Sequence, residues 1–531
     1  MKLTFIGADH EVTGSCHCIT ACGKTILLDC GMEQGADIYE NAELPVTPPE
    51  IDFVFLSHAH IDHSGLIPYL YAHGFRGSVF ATTATTDLCG IMLRDSAHIQ
   101  MFEAEWRNRK GKRAGKEEYV PLYELKDAVG VMYQFVPCPY NKIVDVCDGV
   151  KIRFTDVGHL LGSASIEIWI KEEEEERKIV FSGDVGNLNQ PIIKNPSYIE
   201  EADFLIIEST YGDRLHQGNA DNIAALAKII KETFERGGNV VIPSFAVGRT
   251  QEMLYFIRQV KQENLVPGFE DFEVYVDSPL AVEATNIFHR NVEECFDEEA
   301  MALVRQGINP IHFPGLKIAV SAEESKAINF DPKPKVILSA SGMCEAGRIK
   351  HHLKHNLWRP ESTILFVGYQ ANGTLGRAIY EGAKEVRLFG ETIEVKAQIQ
   401  KFIGISGHAD KDGLLRYVKA FSKKPQKVFV VHGEDSVTES FAACLRNDLC
   451  MNAVAPYTGS VYSLKDGALL SEGSMKRVEK TARQQVSGVF ARLLAAGQRL
   501  IAVIRHNEHG ANKDLARFAD QINALCEKWD R

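Results

Sequence analysis

Long hydrophobic runs are missing from this chain, and no stretch approaches the roughly eighteen apolar residues that a membrane-crossing helix needs. The start, Met1-Lys2-Leu3-Thr4-Phe5-Ile6-Gly7, reads as a short strand broken at glycine. It lacks the apolar core and small-residue cleavage site of a signal peptide. Paired cysteines are missing too: the 12 Cys are scattered without a CxxC, which excludes a disulfide-stapled small domain and suits a reducing compartment. Positive charge is in the minority, with 59 Lys plus Arg against 71 Asp plus Glu and a formal net charge of -12. Any polyanion must therefore be met by a local site and not by a uniformly basic coat. These absences lead us to expect a soluble, cytoplasmic protein. Its 531 residues are enough for two or three domains with ample cores.

What is present is histidine in a concentrated pattern. Residues 51–56 (IDFVFL) read as a buried strand, followed directly by Ser57-His58-Ala59-His60-Ile61-Asp62-His63-Ser64-Gly65. Open α/β sheets carry their chemistry on loops at such strand ends. His58 and His60 are two apart, so an extended backbone points both rings the same way, and the turn at Asp62-His63 sends two further donors to a neighbouring position. One loop can therefore serve two ions. Neutral imidazole and carboxylate suit zinc with a position open for water, and the same donors would accept manganese.

Further donors recur at strand ends. Asp29 closes the strand at 25–28, either as a turn cap or facing the metals. His159 lies in a Gly-bounded turn between two strands. Asp184 sits between glycines after the strand at 178–181, where both its oxygens can be used, and Glu208 ends the strand at 203–207. From about 213 the texture becomes helix-rich with short strands. Three turns there, at 243–252, 339–348 and 368–377, combine a strand end, small hydroxyl or glycine residues and an arginine, which is an anion-binding arrangement. His351, His352 and His355 share a helix but have no nearby carboxylate or cysteine to complete a metal site, so we expect a structural or substrate-rim role. His408, in a turn after Ser-Gly, suits an acid or base, and His432 again ends a strand. Residues 107–116 carry six basic side chains and read as the end of a solvated helix with a disordered tip.

Taken in order, these residues resemble the β-CASP branch of the metallo-β-lactamase superfamily, the group containing the cleavage and polyadenylation specificity factor endonuclease and its bacterial and archaeal relatives. The resemblance covers about residues 1–465, through four superfamily motifs (Asp29; His58 to His63; His159; Asp184) and three branch motifs (Glu208; His408; His432). It implies an α/β fold, the metallo-β-lactamase αββα sandwich, made discontinuous by an inserted α/β β-CASP domain. The expected parts are 1–210 and 389–465 for the sandwich, 211–388 for the insertion and 466–531 for a C-terminal helical extension. The RNA-binding KH modules of some archaeal relatives are expected to be absent.

The resemblance also implies two zinc ions per chain, one held by His58, His60 and His159 and the other by Asp62, His63 and His432. Asp184 bridges them, and Asp29 supports the ligands from behind. A hydroxide between such ions is a nucleophile at neutral pH, since zinc lowers the pKa of bound water from about 15.7 to about 7. His408, oriented by Glu208, would protonate the leaving oxygen, so the catalytic set is Asp184, Asp62, Glu208 and His408. DNA-processing members typically lack histidine at the last position, and His432 favours RNA. The expected activity is hydrolysis of phosphodiester bonds in single-stranded RNA, internally or from an end. Ser244, Arg249, Ser341, Arg348 and Arg377 would hold the phosphates of a strand lying between insertion and sandwich.

A DNA nuclease, a thioester or lactam hydrolase, and a non-catalytic RNA-binding scaffold are the alternatives. The small-molecule hydrolase would not need the three anion-type turns, and a scaffold would be expected to have lost ligands that are all filled here. From 476 to 531 there are 11 Lys plus Arg against 6 Asp plus Glu. The apolar spacing of Val478, Val486, Val489, Phe490, Leu493 and Leu494, then Leu515, Phe518, Ile522 and Leu525, predicts two amphipathic helices packing on the body or on a second subunit to make a dimer.

Overall fold

Alternating inward and outward side chains build two facing sheets in this computed structural model, which describes residues 1–33, 42–111, 119–216, 221–370, 373–402, 405–474 and 511–529 and a few positions between 493 and 507. The strand Ala164–Glu172 shows the pattern: Ile166, Ile168 and Ile170 enter the space between the sheets. On its other side the buried carboxylate of Glu167 is paired with Arg153 and Lys178, each at 2.7 Å.

One sheet runs Leu469–Ser471, Val461–Ser463, Lys2–Gly7, Cys16–Ala21, Lys24–Leu28, Phe53–Phe55, Ser78–Thr82, Phe135–Cys138 from edge to edge. The other runs Ala453–Val454, Lys427–Val431, Phe204–Glu208, Glu175–Phe181, Ala164–Glu172, Val150–Asp156, Val144–Cys147. Leu3, Phe5, Ile26, Leu28 and Phe55 of the first meet Phe154, Ile166, Phe181 and Phe429 of the second in a dry core. Helices cover both outer faces. Ile67–Ala72, Thr83–Gly111 and Leu125–Val131 lie on the first sheet, and Lys411–Lys419 and Asp435–Leu449 on the second. This is the expected αββα sandwich.

The chain leaves the sandwich after Phe204–Glu208 and returns with Lys427–Val431. These two strands pair in parallel, Ile206 opposite Phe429 and Glu208 opposite Val431, while Phe181 lies opposite Ile206. That register brings the ends of three strands to one level, although a long stretch of chain separates Glu208 from His432.

Between them a six-stranded sheet runs Leu316–Ile318, Glu273–Val276, Lys335–Ser339, Val240–Pro243, Thr363–Phe366, Gln398–Lys401, all pairs parallel. Its membership corrects one expected boundary. Residue 388 ends a strand whose antiparallel hairpin partner is Glu391–Glu394, and Gln398–Lys401 hydrogen-bonds to Thr363–Phe366, so the insertion runs to at least 401. Gln398–Lys401, within the segment expected to return to the sandwich, instead completes the inserted sheet. Ala281, Ile287 and Phe288 of the insertion join the same core as Ile67 and Leu88 of the sandwich, which seats one on the other.

The last helix is Asn512–Trp529. Leu515, Phe518 and Ile522 are half-buried along one face, and none of its residues is buried. The other expected tail helix, through Val478, Val486, Val489, Phe490 and Leu494, lies outside the described residues, as do positions 112–118 of the basic segment. Among the described residues no helix is long and apolar enough to cross a membrane.

Candidate metal centre

Donor side chains converge at the aligned strand ends, and the reason begins with the histidine loop. Phe53–Phe55 ends, Ser57 to His60 stay extended, and a single helical turn, Ile61–Ser64, then reverses the chain. That turn lies where the Asp62-His63 turn is expected and puts these two side chains in a different donor group from His58 and His60. The loop is clamped against the Asp29 loop, where Gly31 is required: a Cβ there would lie 1.6 Å from the Asp62 carbonyl oxygen. Cys30 N donates to His63 O and Ser15 N to Asp62 O, each at 2.8 Å.

His58, His60, His159 and Asp184 form one group of donors, Asp62, His63 and His432 a second, and Asp184, Glu208 and His408 a third. Between them Asp184 Oδ2 lies 3.3 to 3.5 Å from a ring nitrogen of His58, His63 and His159. His58 Nε2 and His159 Nε2 approach His60 Nδ1 to 3.0 and 3.2 Å, and His63 Nε2 lies 3.2 Å from His432 Nε2. So many lone pairs facing one another cannot all be satisfied by shared protons, and Asp184 Oδ1, buried, accepts no hydrogen bond among the described residues. The donor set fits divalent cations of the zinc or manganese kind.

The far nitrogens are tied down, which decides which atom each ring presents. His63 Nδ1 meets Asp29 Oδ2 at 2.6 Å, His159 Nδ1 meets the Gly407 carbonyl at 3.0 Å, and His58 Nδ1 meets Ser57 Oγ at 3.0 Å. Each of the three rings is left with Nε2 towards the centre, as an orienting partner behind a ligand should leave it. His432 Nδ1 faces Thr210 Oγ1 at 3.2 Å. Its backbone is left-handed, φ +51°, a conformation unusual for histidine and secured by the 2.6 Å bond from His432 N to Ala8 O.

Electrostatics follow the packing. Burial, then the neighbouring imidazoles, drives His58 well below the ordinary histidine range. Burial opposes the charge of Asp184, yet His432 and His63 hold its carboxyl well below the usual carboxylate range. Asp62 likewise is held down to about 2, with burial overcome by the neighbouring His432, 3.9 Å away, and by His63.

His408 stands at the rim, its side chain 22% exposed. Its Nδ1 is 3.1 Å from Glu208 Oε1, and Glu208, itself buried, is fixed by bonds from Val185 N and Thr210 N. Burial works against a proton on His408, but Glu208 and then Asp184 raise its pKa to about 9. The two carboxylates thus favour the protonated ring, whose Nδ1 also lies 4.0 Å from Asp184 Oδ2.

The insertion supplies the opposite wall. Its three anion-type turns follow adjacent parallel strands and share one sheet edge. A Cβ on Gly248 would meet Leu160, next to His159, at 2.9 Å, which places that edge beside the centre. One of the expected phosphate contacts is closed off there. Ser244 is buried with its hydroxyl 2.8 Å from Thr250 Oγ1, whereas Arg348, its side chain 25% exposed, gives part of its guanidinium to Asp277 at 2.7 Å and to the carbonyls of Ala319 and Val320. Arg249 pairs with Glu252, and Arg377 with Glu381 and the Gln370 carbonyl, each retaining part of its donors. Ser341 lies in the turn with its oxygen 3.5 Å from Ala346 N. His352 is structural: buried, with Nε2 at 2.6 Å from Asp277.

Ser57, Thr210, His216 and the Gly407 carbonyl also orient the centre, although sequence reasoning does not single them out. His216 Nε2 meets His408 O at 2.9 Å. Ser57 and Thr210 lie next to or close to donor residues in the chain, a signal present in the sequence, whereas the carbonyl carries none.

Comparison with known proteins adds three matches to family models. The metallo-beta-lactamase superfamily matches residues 11–75, the Beta-Casp domain 250–379, and the Zn-dependent metallo-hydrolase RNA specificity domain 392–456. A ribonuclease of Thermus thermophilus is 36% identical over 436 residues, 82% of this chain and 94% of that protein. The transcription termination factor FttA of Methanosarcina mazei is 32% identical over 466 residues, 85% of this chain and 69% of its own. An RNase J-like protein of Methanocaldococcus jannaschii is 33% identical over 463 residues, 86% and 99%.

Proposed function

Because this chain belongs to the β-CASP branch of the metallo-β-lactamase superfamily and is a metal-dependent hydrolase acting on RNA, we propose that it cuts phosphodiester bonds of single-stranded RNA at a centre for two zinc ions. The observation that carries the reading is the convergence of the first two donor groups on Asp184, with the outer nitrogens of the rings already occupied. His58, His60 and His159 would hold one ion, Asp62, His63 and His432 the other, and Asp184 would serve both. Metal bound there supplies Lewis-acid activation of water and charge stabilisation at phosphorus, with manganese able to replace zinc.

The chain's own residues do the rest. Asp29, Ser57 and the Gly407 carbonyl keep three imidazoles in the tautomer that presents Nε2. His408 carries the proton for the leaving oxygen, and Glu208 keeps the ring charged and aimed. Arg249, Ser341, Arg348 and Arg377, on the edge facing the centre, position neighbouring phosphates. The sandwich comprises residues 1–210 and the returning segment to 465, the insertion lies between, and the tail from 466 follows. The apolar stripe of Leu515, Phe518, Ile522 and Leu525, without a buried residue, is offered as a dimer contact. Twelve unpaired cysteines suit work in the reducing cytoplasm.

Cleavage of an end-labelled RNA, as a single strand, as a duplex and as the DNA of the same sequence, tests the reading. We expect the single-stranded RNA to be preferred, with Asp184→Ala losing metal and activity together. Equal cutting of DNA would move the assignment to a general nuclease.

A further inference from the structure

Two exposed aromatic rings stand between the insertion's sheet edge and the metal centre: Phe245, 41% exposed, and Tyr369, 45% exposed. Isolated exposed apolar side chains are ordinary and signify nothing by themselves. Here the backbone beneath them is shaped to carry them. Phe245 follows Val240–Pro243, and the neighbouring strands on either side, Lys335–Ser339 and Thr363–Phe366, lead into Gly342 and Gly368. A Cβ on Gly342 would stand 3.1 Å from the Phe245 ring carbons, and one on Gly368 would stand 3.9 Å from Cε2. The ring thus rests on glycine backbone and keeps its remaining surface open.

Tyr369 comes directly after Gly368, and its hydroxyl is 3.5 Å from Glu434 Oε1, two residues past His432. Phe245 opens the turn that ends at Gly248, which abuts Leu160 beside His159. The two rings are therefore anchored between the loops bearing His159 and His432, with Arg249 on the same turn as Phe245.

We propose that Phe245 and Tyr369 form a platform on which one or two bases of the substrate strand stack beside the bond to be cut, an inference that rests on the single-strand reading above. Every base has a π face, so such a platform holds RNA without reading its sequence, and a base inside a duplex cannot reach it. The arginine and hydroxyl contacts then take the phosphates, and the two rings fix which phosphodiester lies over Asp184.

The test uses Phe245→Ala, Tyr369→Ala and the double variant, each checked for metal content and melting temperature. Substrates are a labelled single-stranded RNA, the same RNA with single abasic riboses stepped along the cut region, and methyl p-nitrophenyl phosphate, a diester without a nucleobase. We expect the KM for RNA to rise about tenfold in each single variant, as loss of base stacking does elsewhere. The base-free diester should be hydrolysed at the wild-type rate, and Phe245→Trp and Tyr369→Phe should retain the RNA KM. One abasic position should weaken the wild type to the level of Phe245→Ala while leaving that variant unaffected. Unchanged KM for RNA in both alanine variants, or equal losses on RNA and on the base-free diester, would overturn the platform alone. A wild type that cuts duplex and single strands equally well would overturn the single-strand reading and the platform together.

Discussion

Replacing Asp29 by asparagine isolates what a buried carboxylate does behind the metal centre. Asp29 is fully buried with φ +57°, a backbone state that asparagine also tolerates, so the exchange removes charge without adding strain. Its Oδ1 accepts from Ser57 N at 2.8 Å, and its Oδ2 takes Ser57 Oγ at 2.9 Å, Ser15 Oγ at 3.3 Å and His63 Nδ1 at 2.6 Å. An amide keeps the first bond by presenting its oxygen to Ser57 N. Its NH2 then faces His63 Nδ1, which must become an acceptor. The proton moves to Nε2, the nitrogen that should bind metal.

Losing an orienting partner of this kind costs about 10- to 100-fold in metal affinity. At about 1.4 kcal/mol per tenfold this is roughly 1.4 to 2.8 kcal/mol. The metal-free protein should change less, because removal of a buried charge partly offsets the loss of one charge-assisted hydrogen bond, worth about 1.5 to 3 kcal/mol. Competition with a chromogenic zinc chelator reads the affinity, and thermal melting with and without zinc separates binding from folding. An Asp29→Asn protein that binds zinc within about twofold of the wild type would refute the claim that Asp29 sets the His63 tautomer for metal.

Three further outcomes are expected. His408→Ala should lower kcat on RNA by about 10²- to 10⁴-fold, the usual worth of a general acid, with metal content by elemental analysis unchanged; loss of metal in parallel would instead make His408 a ligand. Asp156, whose carboxyl burial pushes up to about 7, stays protonated in the fold at pH values where the unfolded chain has already ionised. This group should therefore contribute a loss of stability of up to about 4 kcal/mol as pH rises from about 4 to about 7, and Asp156→Asn should remove that component of the slope in denaturant titrations; equal slopes in both proteins would refute this. His352→Ala leaves Asp277 buried with Arg348 and Ser325 alone. It should destabilise the insertion by about 3 kcal/mol or more in chemical unfolding without reducing metal content.

Local chemistry makes much of the centre legible from the amino-acid order. Strands read at 25–28, 51–56 and 203–207 fall within two residues of Lys24–Leu28, Phe53–Phe55 and Phe204–Glu208. Strand ends bearing His, Asp or Glu point to the side chains that the fold brings together, because a buried strand fixes where its loop emerges. The same reasoning fails where a residue's partner lies far off in the chain. Arg348 has the look of a phosphate contact because its turn resembles many anion sites, and only packing of Glu273–Val276 beside Lys335–Ser339 supplies Asp277 to claim part of its guanidinium. The strand Gln398–Lys401 falls to the inserted sheet and not to the sandwich for a related reason: its apolar pattern is satisfied equally by either neighbour, so local pattern cannot choose between them.

The types of the candidate donors, their order and the family they point to are legible in the amino-acid order, since side-chain chemistry and strand-end position are local properties. Tertiary structure alone decided which nitrogen each imidazole presents, through Asp29, Ser57 and the Gly407 carbonyl. It also sets Glu208 beside Val431, and so the strand ends that carry Glu208 and His432 side by side, through the register of two strands on either side of a long insertion. Hydrogen-bond partners and strand register are set by long-range packing, and no window of neighbouring residues contains them.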